Sequence, residues 1–182
     1  MLNLPWFFHP SLHLFSKQVR EGGRPLLQLD VVFEHSGPEG WAPEARWYRV
    51  GGLRTAVMDL GVHALSALLV MTTGSLDMSS QSISRLSPER SVLEGMLKAG
   101  VVIRAEVGWD AVVRPSFVVR ATTDNATYST DLIAEAQAAI TGNGLGPYSH
   151  FVECHRSRTI PATDIASLRP LLETALRWAE QC

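Results

Sequence analysis

Apolar positions recur at spacings of three and four through Leu12, Phe15 and Val19, a narrow stripe that predicts a helix. Pro10 suits its first turn and Gly22–Gly23 its end. The period then changes. LLQLDVVFEH, residues 26–35, runs apolar through Val31, Val32 and Phe33 and predicts a strand. SGPEGWAPEARWYRVGG, residues 36–52, carries glycines, two prolines and two tryptophans and predicts a long, lid-like loop. A helix follows from about Val57 to Met71, stopped by TTGS. Strands are predicted at 76–86, 98–111, 115–124 and 126–132, the last two joined by a tight turn at Thr123–Asp124–Asn125. Two helical segments close the chain: the short YSHFVECHRS and a longer one capped by Thr163 or Asp164. In the latter, Pro170 predicts a kink or a start near Leu168. Strands that are grouped, rather than alternating with helices, indicate an α+β fold with an open, mostly antiparallel sheet.

Length and composition then narrow the picture. The chain has 182 residues, 46% of them hydrophobic and 19% charged, as expected of one globular domain spanning 1–182. A net charge of −2 gives no electrostatic reason to expect nucleic acid or an anionic membrane as partner. Uninterrupted apolar runs fall short of the ~20 residues a bilayer span needs. MLNLPWFFHP lacks the basic start and small-residue cleavage site of a signal peptide. Two cysteines, Cys154 and Cys182, make no disulfide framework, so a cytoplasmic location is expected.

Candidate chemistry sits first on the helix VMDLGVHALSALLVM. It is apolar or small almost throughout, yet places Asp59 and His63 four residues apart on one face. A carboxylate and an imidazole on such a helix need partners or solvent. They are either a catalytic or ligand pair, or an aspartate favoured by the helix dipole beside a satisfied core histidine. Other groups are weaker. His9 and His13 share the same spacing on an amphipathic, surface-facing helix. His150, Cys154 and His155 have no second cluster to complete a metal site, so no metal is expected. GNGLG at 142–146 follows a helix-like segment rather than a strand, the wrong context for a dinucleotide loop. Trp6, Trp41, Trp47 and Tyr48 could wall a pocket for a small molecule, or simply pack.

The run WYRVGGLRTAVMDLGVHALSALLVMTTGSL, together with the closing PATDIASLRPLLETALRWAE, resembles the C-terminal domain of the Gfo/Idh/MocA oxidoreductases. The resemblance extends over about residues 3 to 180; its specific part is the Asp-x-Gly-x-His helix. It implies an open sheet with helices on one face and the other face available for a homodimer or higher homo-oligomer. It also implies that His63 exchanges a proton with the substrate while Asp59 orients it; Trp41, Trp47, Tyr48 and Trp6 are candidate substrate-binding residues on their aromatic character alone. The family's nucleotide-binding Rossmann domain, which needs roughly 100–150 residues of its own, is absent from this sequence. With it goes the Glu-Lys-Pro lysine. No cofactor is therefore expected on this chain alone, and NAD(P) chemistry would need a separate Rossmann-domain partner. Two alternatives stand beside that reading: a cofactor-free acid/base enzyme of isomerase, cyclase, dehydratase or condensing type, and a non-catalytic dimeric binding module.

Overall fold

The computed structural model describes residues 7, 9–36, 46–109, 114–139 and 165–182. Helix α1 (Pro10–Glu21) leads into strand β1 (Leu26–His35), and its apolar stripe of Leu12, Phe15 and Val19 is buried. Helix α2 (Arg46–Ala56) then continues through a wider π turn, Val57–Gly61, into α3 (Val62–Met71). Helix α2 overturns the expected loop at 36–52, whose last part, Arg46–Gly51, is helical. The helical path is interrupted at Gly52, whose φ of 51° and ψ of −135° are not helical, so two helical pieces meet there.

Strands β2 (Met78–Ser87) and β3 (Arg90–Leu97) form a hairpin, followed by β4 (Val102–Trp109), β5 (Ser116–Thr123) and β6 (Thr127–Asp131). Helices α4 (Leu132–Ala139) and α5 (Ile165–Glu180) complete the described chain. Two expectations are corrected here. β3 was not foreseen, and the predicted strand 98–111 begins with a turn at Lys98–Gly100, where Gly100 has φ 82°. Pro170 neither delays nor ends α5, which starts at Ile165 and runs through it.

The six strands lie in the order β2-β3-β4-β1-β5-β6. Only β1 and β4 are parallel, pairing from Gln28↔Val102 to His35↔Trp109; all other neighbours are antiparallel. The α+β class and the open, mostly antiparallel sheet are therefore as expected. Alternation assigns the faces. Leu29, Val31 and Phe33 of β1, Ile103, Ala105 and Val107 of β4, and Phe117, Val119 and Ala121 of β5 are buried together with the helical layer. The opposite face carries Asp30, Arg104, Glu94 and Arg120, with Met96 and Val102 exposed.

Helix α5 docks through Trp178, which is fully buried and donates its indole N–H to Ser91 Oγ at 2.8 Å. Its ring lies on Gly61, where a Cβ would stand 3.4 Å from the indole. That close approach accounts for a glycine in mid-helix that would otherwise cost about 1 kcal/mol relative to alanine. The stretch Gly51–Met71 is long and apolar enough to cross a bilayer by length and composition. Counting uninterrupted runs in the sequence overlooked it. Here Val57, Leu60, Ala64, Leu65, Ala67 and Leu68 are buried in the core, as in the central helix of a globular fold.

Candidate functional site

The carboxyl ends of the parallel strands β1 and β4 come together at His35↔Trp109. Alternation turns His35 and Trp109 to the helical side, one step beyond Phe33 and Val107. Phe33 stacks on Phe117 of the neighbouring strand, with ring centroids 4.4 Å apart and planes 4° from parallel. His63, on the first turn of α3, stands over this aromatic floor, its ring centroid 6.1 Å from that of Phe33 and tilted by 57°.

The environment fixes the imidazole's charge. Burial among apolar groups disfavours the protonated ring and lowers its pKa to about 4, so His63 is neutral near pH 7. Its Nδ1 is buried without a hydrogen-bond partner. A satisfied core histidine would need a partner there, and among the described residues none reaches Nδ1; a buried polar atom without one is costly unless something supplies it. Ser66 is buried and donates to the His63 backbone carbonyl at 2.7 Å.

Asp59 sits inside the π turn, half-buried and engaged by a neighbouring group. Such turns are rare, and many occur at functional sites because the extra residue re-aims the side chains around it. Both members of the sequence-predicted pair thus lie on one rod where it crosses the parallel strand ends. Trp47 and Tyr48 belong to the first turn of α2, and Trp6 and Trp41 lie outside the described residues, as do His150, Cys154, His155 and GNGLG. Phe33, Phe117, His35 and Trp109 were not singled out from sequence. Their signal is an aromatic or imidazole at every second position toward a strand end, indistinguishable from core packing until the register is known.

His13 is exposed, with its Nε2 2.8 Å from the Phe7 carbonyl oxygen, and belongs to the surface as expected. Among the described residues no group of three or more His, Cys, Asp or Glu side chains could hold a metal ion.

No protein-family model matches the sequence, and no curated protein does. Solved structures do match. A myo-inositol dehydrogenase from Corynebacterium glutamicum superposes with a TM-score of 0.73 at 13% identity, covering 100% of this chain and 62% of that one. A UDP-N-acetylglucosamine 3-dehydrogenase from Acidithiobacillus ferrooxidans gives 0.66 at 15%, covering 97% and 59%. An inositol dehydrogenase homolog from Azotobacter vinelandii, complexed with NADH and myo-inositol, gives 0.57 at 17%, covering 70% and 35%. The chain shares the fold of part of these dehydrogenases. At these identities the likeness is one of fold, and the chain spans less than two thirds of each matched protein.

The described residues do not form the usual cradle of a nicotinamide dinucleotide. That cradle is a strand, a glycine-rich turn and a helix within a parallel βαβ unit. Here the one parallel pair, β1 and β4, is separated in the chain by two helices and a hairpin.

Proposed function

We propose that this chain is the substrate-binding and oligomerisation domain of a Gfo/Idh/MocA-like oxidoreductase whose nucleotide site is supplied by another domain or chain. The observation that carries the reading is the neutral His63 imidazole, held with an unpartnered Nδ1 over Phe33 at the parallel strand ends. A cyclic polyol or sugar suits it, because two of the fold neighbours carry inositol and UDP-N-acetylglucosamine in their names. When a ring carbinol is oxidised to a ketone, its C–H leaves as hydride to an acceptor held elsewhere and its O–H proton goes to His63. In the reverse direction His63 returns that proton. Asp59 orients the hydroxyl, and the aromatic floor excludes water from the transfer.

The test is binding followed by turnover. Myo-inositol and N-acetylglucosamine derivatives are titrated while the His63 ring is followed by NMR. Oxidation is then assayed with NAD(P) and a Rossmann-domain chain encoded nearby. His63→Ala should lower turnover by about 10²–10⁴-fold while leaving the fold intact. Full activity in that variant, or no shift of the ring signals with any sugar or polyol, overturns the reading.

The same observation favours a second reading, a cofactor-free acid/base enzyme, because a neutral buried imidazole can move a proton unaided. Substrate C–H exchange with solvent deuterium in the absence of any nucleotide would select it over hydride transfer.

A homodimer through the open sheet face belongs to the proposal. One row across that face reads Glu94, Arg104, Asp30, Arg120, alternating in sign over four strands. A two-fold axis running along the strands between β4 and β1 sets every acid of this row opposite a base of the second copy. An axis across the strands would set like on like.

A further inference from the structure

We propose that a crevice at the opposite end of the sheet, where β1 begins, binds an amphipathic carboxylate with an acyl-chain body. The crevice has a volume of about 440 Å³, within the range of small-molecule sites. It lies between the end of α1, the turn after α3 and the β3–β4 turn. Leu26 and Phe33 are seven strand residues apart, so it is about 23 Å from the His63 floor.

Its lining is divided. Val19, Leu26, Met71, Leu97 and Val101 make an apolar floor, while Arg20, Arg24 and Lys98 stand at the rim. Asp77 is the one acid in the lining, and Lys98 holds it at 2.8 Å. Arg24 reaches Asp124 at 3.6 Å from an exposed position, and Arg20 makes no ion pair among the described residues. The rim is therefore net positive.

Helix geometry decides which way round a ligand would sit. α1 and α3 both end at this crevice, and helix C-termini present carbonyl oxygens that repel an anion. A carboxylate is thus favoured at the arginines of the mouth and disfavoured within, whereas a hydrocarbon tail suits the floor. The walls are pinned. The Lys98 amide donates to the Asp77 carbonyl at 2.9 Å, and the Leu97 amide to the Val101 carbonyl at 2.9 Å.

A separate observation points to the same place. Thr73, in the lining, holds φ at 56°, a left-handed conformation that a β-branched residue adopts at a cost. Glycine is the ordinary residue at such a helix exit. Keeping a threonine puts a hydroxyl and a methyl at the crevice where the fold alone would favour a hydrogen.

The experiment is calorimetric titration of the intact protein with monomeric decanoate, with decanol and acetate as partial probes. Vesicles of phosphatidylcholine doped with oleic acid separate a free acid from a bilayer surface. Saturable binding of one decanoate per chain is expected, with decanol at least tenfold weaker and acetate silent. The double variant Arg20→Glu/Arg24→Glu should weaken decanoate at least tenfold. Ala99→Trp, a change at an exposed rim position, should abolish binding without disturbing the fold. No saturable binding to the wild-type protein, binding indifferent to both variants, or attachment only to vesicles overturns the proposal. Should the double charge variant fail to fold, Ala99→Trp and the decanol comparison decide.

Discussion

Where β1 and β4 end, the central helical rod lays a histidine over stacked aromatic rings and leaves one of its nitrogens buried without a partner. Where β1 begins, the same rod stops at a strained threonine above a crevice rimmed by arginines and a lysine. The first end suppresses charge, since burial keeps His63 neutral; the second accumulates it on exposed side chains over an apolar floor. One amphipathic layer thus yields two environments, set by which residues cover each sheet end rather than by the sheet itself. Desolvation governs the first end, so its properties should change when packing is opened. Long-range charge and local backbone strain govern the second, so it should respond to charge reversal and to glycine.

The largest effect should come from opening the packed end. Trp178 closes the rod from above at Gly61 and ties α5 to β3 through Ser91. Trp178→Ala should destabilise the protein by about 4 kcal/mol in urea unfolding, chiefly from the lost indole contacts and the cavity left behind, since Ser91 Oγ keeps its bond to the Ser84 carbonyl. Where the variant remains folded, the His63 pKa read by NMR should climb from about 4 toward its ordinary value as water reaches the ring. A His63 pKa unmoved by the truncation would mean that its desolvation comes from the Phe33 side alone.

The second effect needs no mutation. The folded-state pKa of His63 is about 4 against an ordinary 6.5, so between those values the unfolded chain binds a proton that the folded chain refuses. Stability is unaffected by this group above pH 6.5 and is lost as pH falls from there to 4. The loss reaches about 2 kcal/mol at pH 5 and about 3 kcal/mol at pH 4. Urea midpoints taken at pH 7 and pH 5 should show it, and His63→Gln should flatten that part of the profile. An unchanged slope in the glutamine variant would assign the acid sensitivity to other groups.

A third prediction lies on the other face and should leave both ends unaltered. Under the proposed two-fold axis, Asp30 of one copy faces Arg104 of the other. Asp30→Arg should therefore weaken self-association at least tenfold in sedimentation, or about 1.4 kcal/mol, and the swap Asp30→Arg/Arg104→Asp should restore it. Asp30 accepts two bonds from Gln28 Nε2, at 2.9 and 3.0 Å, and Arg104 pairs with Glu106 at 2.6 Å. The swap must therefore be judged by assembly and not by monomer stability. Weakening by the single change without rescue by the swap would overturn this placement of the axis.

Much of this was legible in the residue pattern, and the failures have identifiable causes. Strand 26–35 and the α1 stripe were read correctly because their periodicity is uninterrupted. β3 was missed, and Gly95 within it carries no side chain to mark the strand period. It is a close-approach glycine, where a Cβ would come within 2.6 Å of the Ser80 carbonyl of β2. Gly100 is a turn glycine, yet it was absorbed into a strand because Val101, Val102 and Ile103 follow at once. Gly51–Gly52 does interrupt the helical path, at the non-helical Gly52, but helix lies on both sides of it and not only after it. The Asp59–His63 spacing was visible, whereas the π turn and the aromatic floor were not. Neither leaves a signature in spacing, and the floor depends on pairing between residues as distant in sequence as Phe33 and Phe117.

The smallest effect is the sharpest test of the second end. The Gly74 amide reaches back to the Leu69 carbonyl at 2.8 Å, the closing bond of a helix exit whose left-handed residue is usually glycine; here that residue is Thr73. A left-handed conformation costs an L-residue roughly 1–2 kcal/mol, and glycine returns part of that gain through its freer unfolded chain. Thr73→Gly should therefore stabilise the protein by about 0.5–1 kcal/mol, a rise of a few degrees in Tm. The methyl and hydroxyl that the variant removes belong to the crevice lining, so decanoate binding should weaken in the same variant. Stabilisation with undiminished binding would make the threonine a local accident of the turn, and destabilisation would show that its side chain is tied to its surroundings more firmly than its backbone is strained.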